Sequence, residues 1–352
     1  MSLTAQQPNL PVALVFPGQG AQYPRMAAGL YEHDSTFTFW MDEAFRLLGQ
    51  DGPRLRREWL AEVPSAQYDD VTVAQPLLYA VNHALGRMVL GWGVRPAALL
   101  GHSVGEFAAA TLAGILGFDD GIRLMRERVV HFADTPPGGM LAVAATTDDV
   151  ADLLGEEVHL AAVNAARQLL LAGEREPLAR AARELDGRGV VCRQVLARQA
   201  FHSPAVDDAV RATLPGFRAV PLRRPDVPFY SACTPGLLAE KEALDPDFWA
   251  WQAARTVYFA PALTALLAAH DCLLLEAGPG DGLSRLARRQ PQVIAGRSLV
   301  QPLVPGDRDD REAAGEVRRR LRACVISPAG RATPGTHARL RSRGRGPHDA
   351  AR

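Results

Sequence analysis

Gly101-His102-Ser103-Val104-Gly105 follows the apolar run Pro96-Ala97-Ala98-Leu99-Leu100 and precedes an Ala-rich one, Glu106 to Leu116. That order reads as strand, sharp turn and helix, with Ser103 at the apex. Small residues on either side let the backbone turn tightly from sheet into helix. The turn leaves the serine hydroxyl exposed and aims the first helical N–H groups at whatever it attacks. Two glycines and a serine also make ordinary turns. The strand before and the helix after favour a nucleophile.

The chain has 352 residues, 47% hydrophobic and 22% charged, enough for one large core and a smaller unit. Its 39 basic and 39 acidic residues balance, so nothing in the charge argues for nucleic acid or a membrane. The basic residues are nearly all arginine, Lys241 standing alone. Cys192, Cys233, Cys272 and Cys324 lack metal-site spacing and suit a reducing cytosol. Neither a signal peptide nor a membrane-spanning helix is expected, and the expected setting is cytoplasmic.

Outward from the elbow, Pro11 to Phe16 reads as a buried strand running into the turn Pro17-Gly18-Gln19-Gly20-Ala21-Gln22. A glutamine there is well placed to offer hydrogen-bond donors. Residues 25 to 66 look helical, and Gln75 to Val89 has helical apolar spacing, with His83 packed or at the surface. Ile122 to Val130 is a further helix. A buried arginine on it would need an acidic partner, a bound anion or a full set of hydrogen bonds.

Pro136-Pro137-Gly138-Gly139 breaks the pattern. Strands at 140–145, 158–163, 168–172 and 190–196, with helices at 148–154 and 176–185, give a βαββαβ order. Residues 138–198 are therefore expected to form a ferredoxin-like small subdomain. The chain re-enters the large unit at Gln199-Ala200-Phe201-His202-Ser203-Pro204, placing a histidine after the serine, as α/β-hydrolase-type chains do. Val227 to Ser231 and Cys272 to Leu275 read as strands, and Phe248-Trp249-Ala250-Trp251-Gln252 opens an aromatic helix. The expected division is 1–137 and 199–310 for the large domain and 138–198 for the small one. From Val317 onward Arg, Gly, Pro, Ser and Ala dominate, so 311–352 is expected to be an Arg-rich, mostly disordered tail.

FPGQGAQ at 16–22, AQPLL at 74–78, GHSVGE at 101–106, AFHS at 200–203 and EAGPG at 276–280 together resemble the malonyl-CoA:acyl-carrier-protein transacylases and the acyltransferase domains of polyketide synthases. The likeness covers about residues 10 to 300. It implies an α/β fold: a hydrolase-like large domain with a parallel sheet and nucleophile elbow, and an inserted ferredoxin-like small subdomain. It implies Ser103 as the acylated nucleophile and His202 as its base. Gln19 and the Val104 N–H would form the oxyanion hole. Arg128, 25 residues after the serine, would grip a malonyl carboxylate. A Gln252 carbonyl would orient the histidine, and His102, Asn164 and Phe201 would line the cleft. Asn164 stands in AVNAARQLLLAG, similar to the family's NxPxxxVxxG segment, and Gln199-Ala200-Phe201-His202 resembles the malonate-type HAFH without its leading histidine.

The resemblance implies double displacement: CoA leaves an acyl-serine, and the phosphopantetheine thiol of an acyl carrier protein then takes the acyl group. Acyl-CoA and carrier protein are the expected partners, with no bound cofactor, no metal and a monomeric enzyme. A free-standing chain would act in trans, in polyketide or fatty-acid biosynthesis. Two alternatives share these motifs: an editing thioesterase that hydrolyses unwanted starter groups, and a non-catalytic carrier-protein-binding subunit, which the presence of Ser103, His202 and Gln19 disfavours.

Overall fold

The computed structural model describes residues 10–326. Two sheets organise it. The larger has strands β1 (Val12–Phe16), β2 (Ala98–Gly101), β7 (Phe229–Ser231), β8 (Gly236–Leu237), β9 (Leu273–Pro279) and β10 (Leu299–Val304), in the order β10-β9-β1-β2-β7-β8. All neighbours are parallel except the short β7–β8 hairpin. A parallel sheet is covered on both faces, and β1 shows how: Leu14 and Phe16 pack on one side, Ala13 and Val15 on the other. The first side is covered by the helix Val71–Gly91, capped by the Asp70 carboxylate, and the second by the helix Phe259–Ala269.

The smaller sheet has β3 (Gly138–Val143), β4 (Val158–Ala165), β5 (Gln168–Glu174) and β6 (Cys192–Gln194), antiparallel in the order β4-β5-β3-β6. Numbered within the unit this is 2-3-1-4, the ferredoxin-like order. The helix Arg175–Gly187 lays Leu178, Ala181 and Leu185 on Leu141, Val143, Leu169 and Leu171. Between β3 and β4 the expected helix is a 3-10 segment, Asp148–Leu153.

Two expectations are corrected. Residues 25 to 66 hold two separate helices, Ser35–Leu47 and Gly52–Leu60, parted at Gly49-Gln50-Asp51 and opened again by Pro53. The tail does not begin at 311. Asp310–Ile326 is a helix whose Ala314, Val317 and Leu321 are buried in the main core, with Ala313 buried beside them. Those positions make a helical stripe, and the arginines fall on the outer faces. The rest of the expected tail, 327–352, lies outside the described residues. Among those described, no helix is long and apolar enough to cross a membrane.

Candidate active site

The elbow forms where β2 meets the helix Val104–Leu112, with Ser103 at φ 51° and ψ −122°. Both motif glycines are there for close approach. A Cβ on Gly101 would lie 2.2 Å from the Glu106 backbone, and one on Gly105 would lie 2.2 Å from the Phe16 carbonyl oxygen. With no side chains in the way, the elbow nests against the end of β1.

Ser103 Oγ lies 2.8 Å from His202 Nε2. On the far side of the ring, His202 Nδ1–H donates to the Arg255 carbonyl at 2.8 Å. That bond fixes the tautomer and leaves Nε2 as the acceptor from the serine hydroxyl. The resemblance implied the Gln252 carbonyl for this role, and the structure places the Arg255 carbonyl there instead. The close bond is to Arg255, with the Gln252 carbonyl a weaker influence on the ring. Gln252 instead braces the elbow: its Nε2 donates to the Ser103 carbonyl at 2.8 Å and to Glu106 Oε2 at 3.3 Å. The buried Glu106 carboxyl is itself pushed up to about 7 by burial.

Burial draws the His202 pKa down to about 4, helped by repulsion from His102 and Arg128 and opposed by the Arg255 carbonyl. The ring is thus a neutral base at neutral pH. The thiols behave oppositely. Burial holds Cys233 well above its ordinary value and Cys272 up to about 11, so both stay protonated thiols at neutral pH.

Gly18 sits against the elbow, where a Cβ would be 3.1 Å from Ser103 Cβ. The next residue, Gln19, is held by its side chain: Nε2 donates to the Asp69 carbonyl at 3.3 Å, and Oε1 accepts from Gln75 at 3.1 Å. The Gln19 and Val104 backbone N–H groups donate to no protein acceptor among the described residues. They are free to serve an oxyanion. His102 turns the other way, its Nε2–H bonding Asn164 Oδ1 on β4 at 2.8 Å. Asn164 therefore ties the small sheet to the elbow.

Arg128 lies on the helix Phe118–Ala133, 3% exposed. It forms no ion pair among the described residues. Its guanidinium rests over the rings of Phe107 at 4.7 Å and Phe132 at 5.1 Å. Phe201 meets Phe132 edge-on at 5.2 Å. Burial pulls the guanidinium down to about 9, so it stays charged at neutral pH. A buried, unpaired cation beside a neutral base suits an anionic acyl group. Arg255 is the residue that motif reading missed, since it contributes only a carbonyl, which no side-chain pattern reveals; Glu106 stood in the GHSVGE motif without a role.

The acyl transferase domain family matches residues 13–288. The chain is 34% identical over 284 residues to a phenolphthiocerol/phthiocerol polyketide synthase of Mycobacterium tuberculosis, covering 80% of this chain and 19% of that protein. It is 34% identical over 306 residues to polyketide synthase GfsB of Streptomyces halstedii, covering 85% of this chain and 6% of that protein. The chain thus spans a fifth or less of the length of these relatives. Among solved structures, the acyl transferase domain of SpnD in complex with 2-(pent-4-yn-1-yl)malonyl superposes with a TM-score of 0.83 at 31% identity, covering 91% of this chain and 78% of that one. FabD from Acinetobacter baumannii shares the fold, with a TM-score of 0.79 at 23% identity over 89% of this chain and 98% of that one. The chain belongs to the acyl transferase domain family, that of the acyltransferase domains of polyketide synthases, and is an acyltransferase.

Proposed function

We propose that this acyltransferase moves a malonyl group from CoA to the phosphopantetheine thiol of an acyl carrier protein through an ester on Ser103. His202 Nε2 takes the hydroxyl proton as Ser103 Oγ attacks the thioester carbonyl. The oxyanion rests on the Gln19 and Val104 N–H groups, each such donor contributing about 2.7–4 kcal/mol to barrier lowering in comparable sites. The C–S bond breaks, and the His202 proton goes to the departing CoA sulfur. The carrier thiol then gives its proton to His202, attacks the ester, and Ser103 recovers its proton as it leaves.

The observation that carries the malonyl assignment is Arg128, a buried guanidinium with no carboxylate partner among the described residues. A malonyl carboxylate supplies the missing anion, and a guanidinium binds it through two parallel bonds. An uncharged acyl group leaves the cation buried and unpaired, which is costly. A solved relative at 31% identity supports the choice, the SpnD domain being in complex with a malonyl derivative.

Intact-mass measurement after mixing with malonyl-CoA tests this. A malonyl adduct is expected on the peptide around Ser103, absent in Ser103→Ala. Arg128→Ala should slow malonylation by about two to four orders of magnitude, as an unpaired buried carboxylate costs about 3–5 kcal/mol, while acetylation holds or rises. Preference for acetyl-CoA with release of free acid, unmoved by Arg128→Ala, would sink the malonyl reading and favour the editing hydrolase.

A further inference from the structure

Ser-x-x-Glu at the start of a helix ordinarily closes a capping box, each side chain bonding the backbone N–H of the other residue. Ser103 and Glu106 have that spacing at the start of the helix Val104–Leu112, yet the Ser103 hydroxyl caps nothing and faces His202. The Glu106 side chain turns inward instead, to 0% exposure. There its Oε2 accepts from Gln252 Nε2 at 3.3 Å and from the Cys233 thiol at 3.8 Å. Its Oε1 meets no hydrogen-bond partner among the described residues. Burial pushes the carboxyl up to about 7 against the pull of Ser231 and Gln252, and no cation among the described residues acts on it. An apolar side chain of similar size would avoid that burial cost.

The neighbours of Oε2 show what the carboxyl achieves. Gln252 opens a short segment that holds both halves of the dyad. Its Nε2 donates to the Ser103 carbonyl at 2.8 Å, which also accepts from the Glu106 N–H at 2.9 Å. The Ala253 carbonyl accepts from the His202 N–H at 2.8 Å, and the Arg255 carbonyl from His202 Nδ1 at 2.8 Å. Serine and histidine are thus fastened to one stretch of four residues. Glu106 Oε2 keeps the Gln252 amide turned toward the elbow, for Gln252 Oε1 has no partner among the described residues to hold it. Cys233, between β7 and β8, ties a third segment to the same oxygen.

We propose that Glu106 is a positioning residue for acyl transfer, its Oε2 setting, through Gln252, the separation of Ser103 Oγ from His202 Nε2. The inference rests on the reading of Ser103 and His202 as nucleophile and base. Oε1 is the oxygen open to a proton, so the neutral and the ionised carboxyl both leave Oε2 an acceptor. Cys233 beside it stays a thiol. The link therefore persists while Glu106 titrates.

Labelling of Ser103 by phenylmethanesulfonyl fluoride and steady-state malonyl transfer, both on the full chain, test it. Glu106→Leu should keep or raise the melting temperature, because it removes a buried carboxyl that has no cation. Labelling and kcat should nonetheless fall about tenfold to a hundredfold, as misalignment on the order of an ångström does, with KM for malonyl-CoA unchanged. Glu106→Gln keeps an acceptor oxygen for Gln252 and should restore most of the rate. Gln252→Leu removes the intermediate amide, so adding Glu106→Leu to it should slow labelling no further. A full rate in Glu106→Leu, an equal loss in Glu106→Gln, or losses that multiply in the double variant would each overturn the assignment. Should Glu106→Leu not fold, full-rate labelling of Gln252→Leu overturns it equally, and slowed labelling upholds it. Failure of the nucleophile reading shows separately, as wild-type protein that takes no label or malonyl adduct on Ser103.

Discussion

Ser103 and His202 both hold positive φ, 51° and 60°, where a residue with a side chain sits at a cost of about 1–3 kcal/mol. The backbone bonds around them impose it: His202 N–H donates to the Ala253 carbonyl at 2.8 Å, and Gln252 holds the Ser103 carbonyl. The strain aims Oγ and Nε2 at each other. Because the His202 pKa is drawn down to about 4, its base form persists far into acid. Labelling of Ser103 by phenylmethanesulfonyl fluoride, which carries no titrating group of its own, should stay level from about pH 8 to 5 and fall with an apparent pKa near 4. An acid limb near 6.5 would mean a solvated ring. The stability sign follows: with the folded value below the unfolded one, the unfolded chain binds the extra proton. His202 therefore costs stability as pH falls from about 6.5 toward 4, and the loss levels off below that. The pairing of Ser103 with His202, which the structure brings to 2.8 Å, was legible because it is made by side chains. Arg255 was not, since any residue supplies a carbonyl and only the fold decides which one faces the ring.

At the scale of elements, the elbow depends on contact between its glycines and neighbouring backbone. Gly105→Ala would press a Cβ to 2.2 Å from the Phe16 carbonyl and 2.5 Å from that of Pro17. Backbone cannot yield as a side-chain tip does. Urea unfolding should show a loss of about 1–3 kcal/mol, with Ser103 labelling slowed as the Gln19 turn moves away. The C-terminal helix makes a second case. Leu321 is 5% exposed within the main core, so Leu321→Ala should cost about 2–4 kcal/mol. The neighbouring exposed Arg319→Ala should change stability by about 0.5 kcal/mol or less. Equal small effects would mean the helix is not docked in solution. This helix was hidden from a compositional reading, because arginine and alanine dominate while the buried stripe, among the described residues, is Ala313, Ala314, Val317 and Leu321. The small sheet was easier to read, its apolar runs being separated by turn residues and a strongly amphipathic helix. Its last strand is shorter than the apolar run suggests. β6 pairs only with β3, at the edge, and Val191 is left exposed.

Over the whole molecule, the two sheets meet beside the dyad and are joined there by few bonds. Val163 N–H donates to the Val257 carbonyl at 2.8 Å, Val257 N–H to Ala161 at 2.9 Å, and His102 to Asn164. Asn164→Ala leaves the His102 donor without its acceptor, at a cost of about 1–3 kcal/mol. The acylation rate should fall with it while the small unit stays folded. An unchanged rate together with unchanged stability would reduce the bond to decoration. The inserted unit also leaves and rejoins the large one at a single neck, where Gly138 N–H meets the Arg198 carbonyl at 2.9 Å. Entry and exit thus lie side by side, as in a plug pressed into a socket. A foreign module with equally close ends could be spliced between Pro137 and Gln199 without stretching the path to His202. Exchange of such plugs among relatives would let one nucleophile serve differently shaped clients.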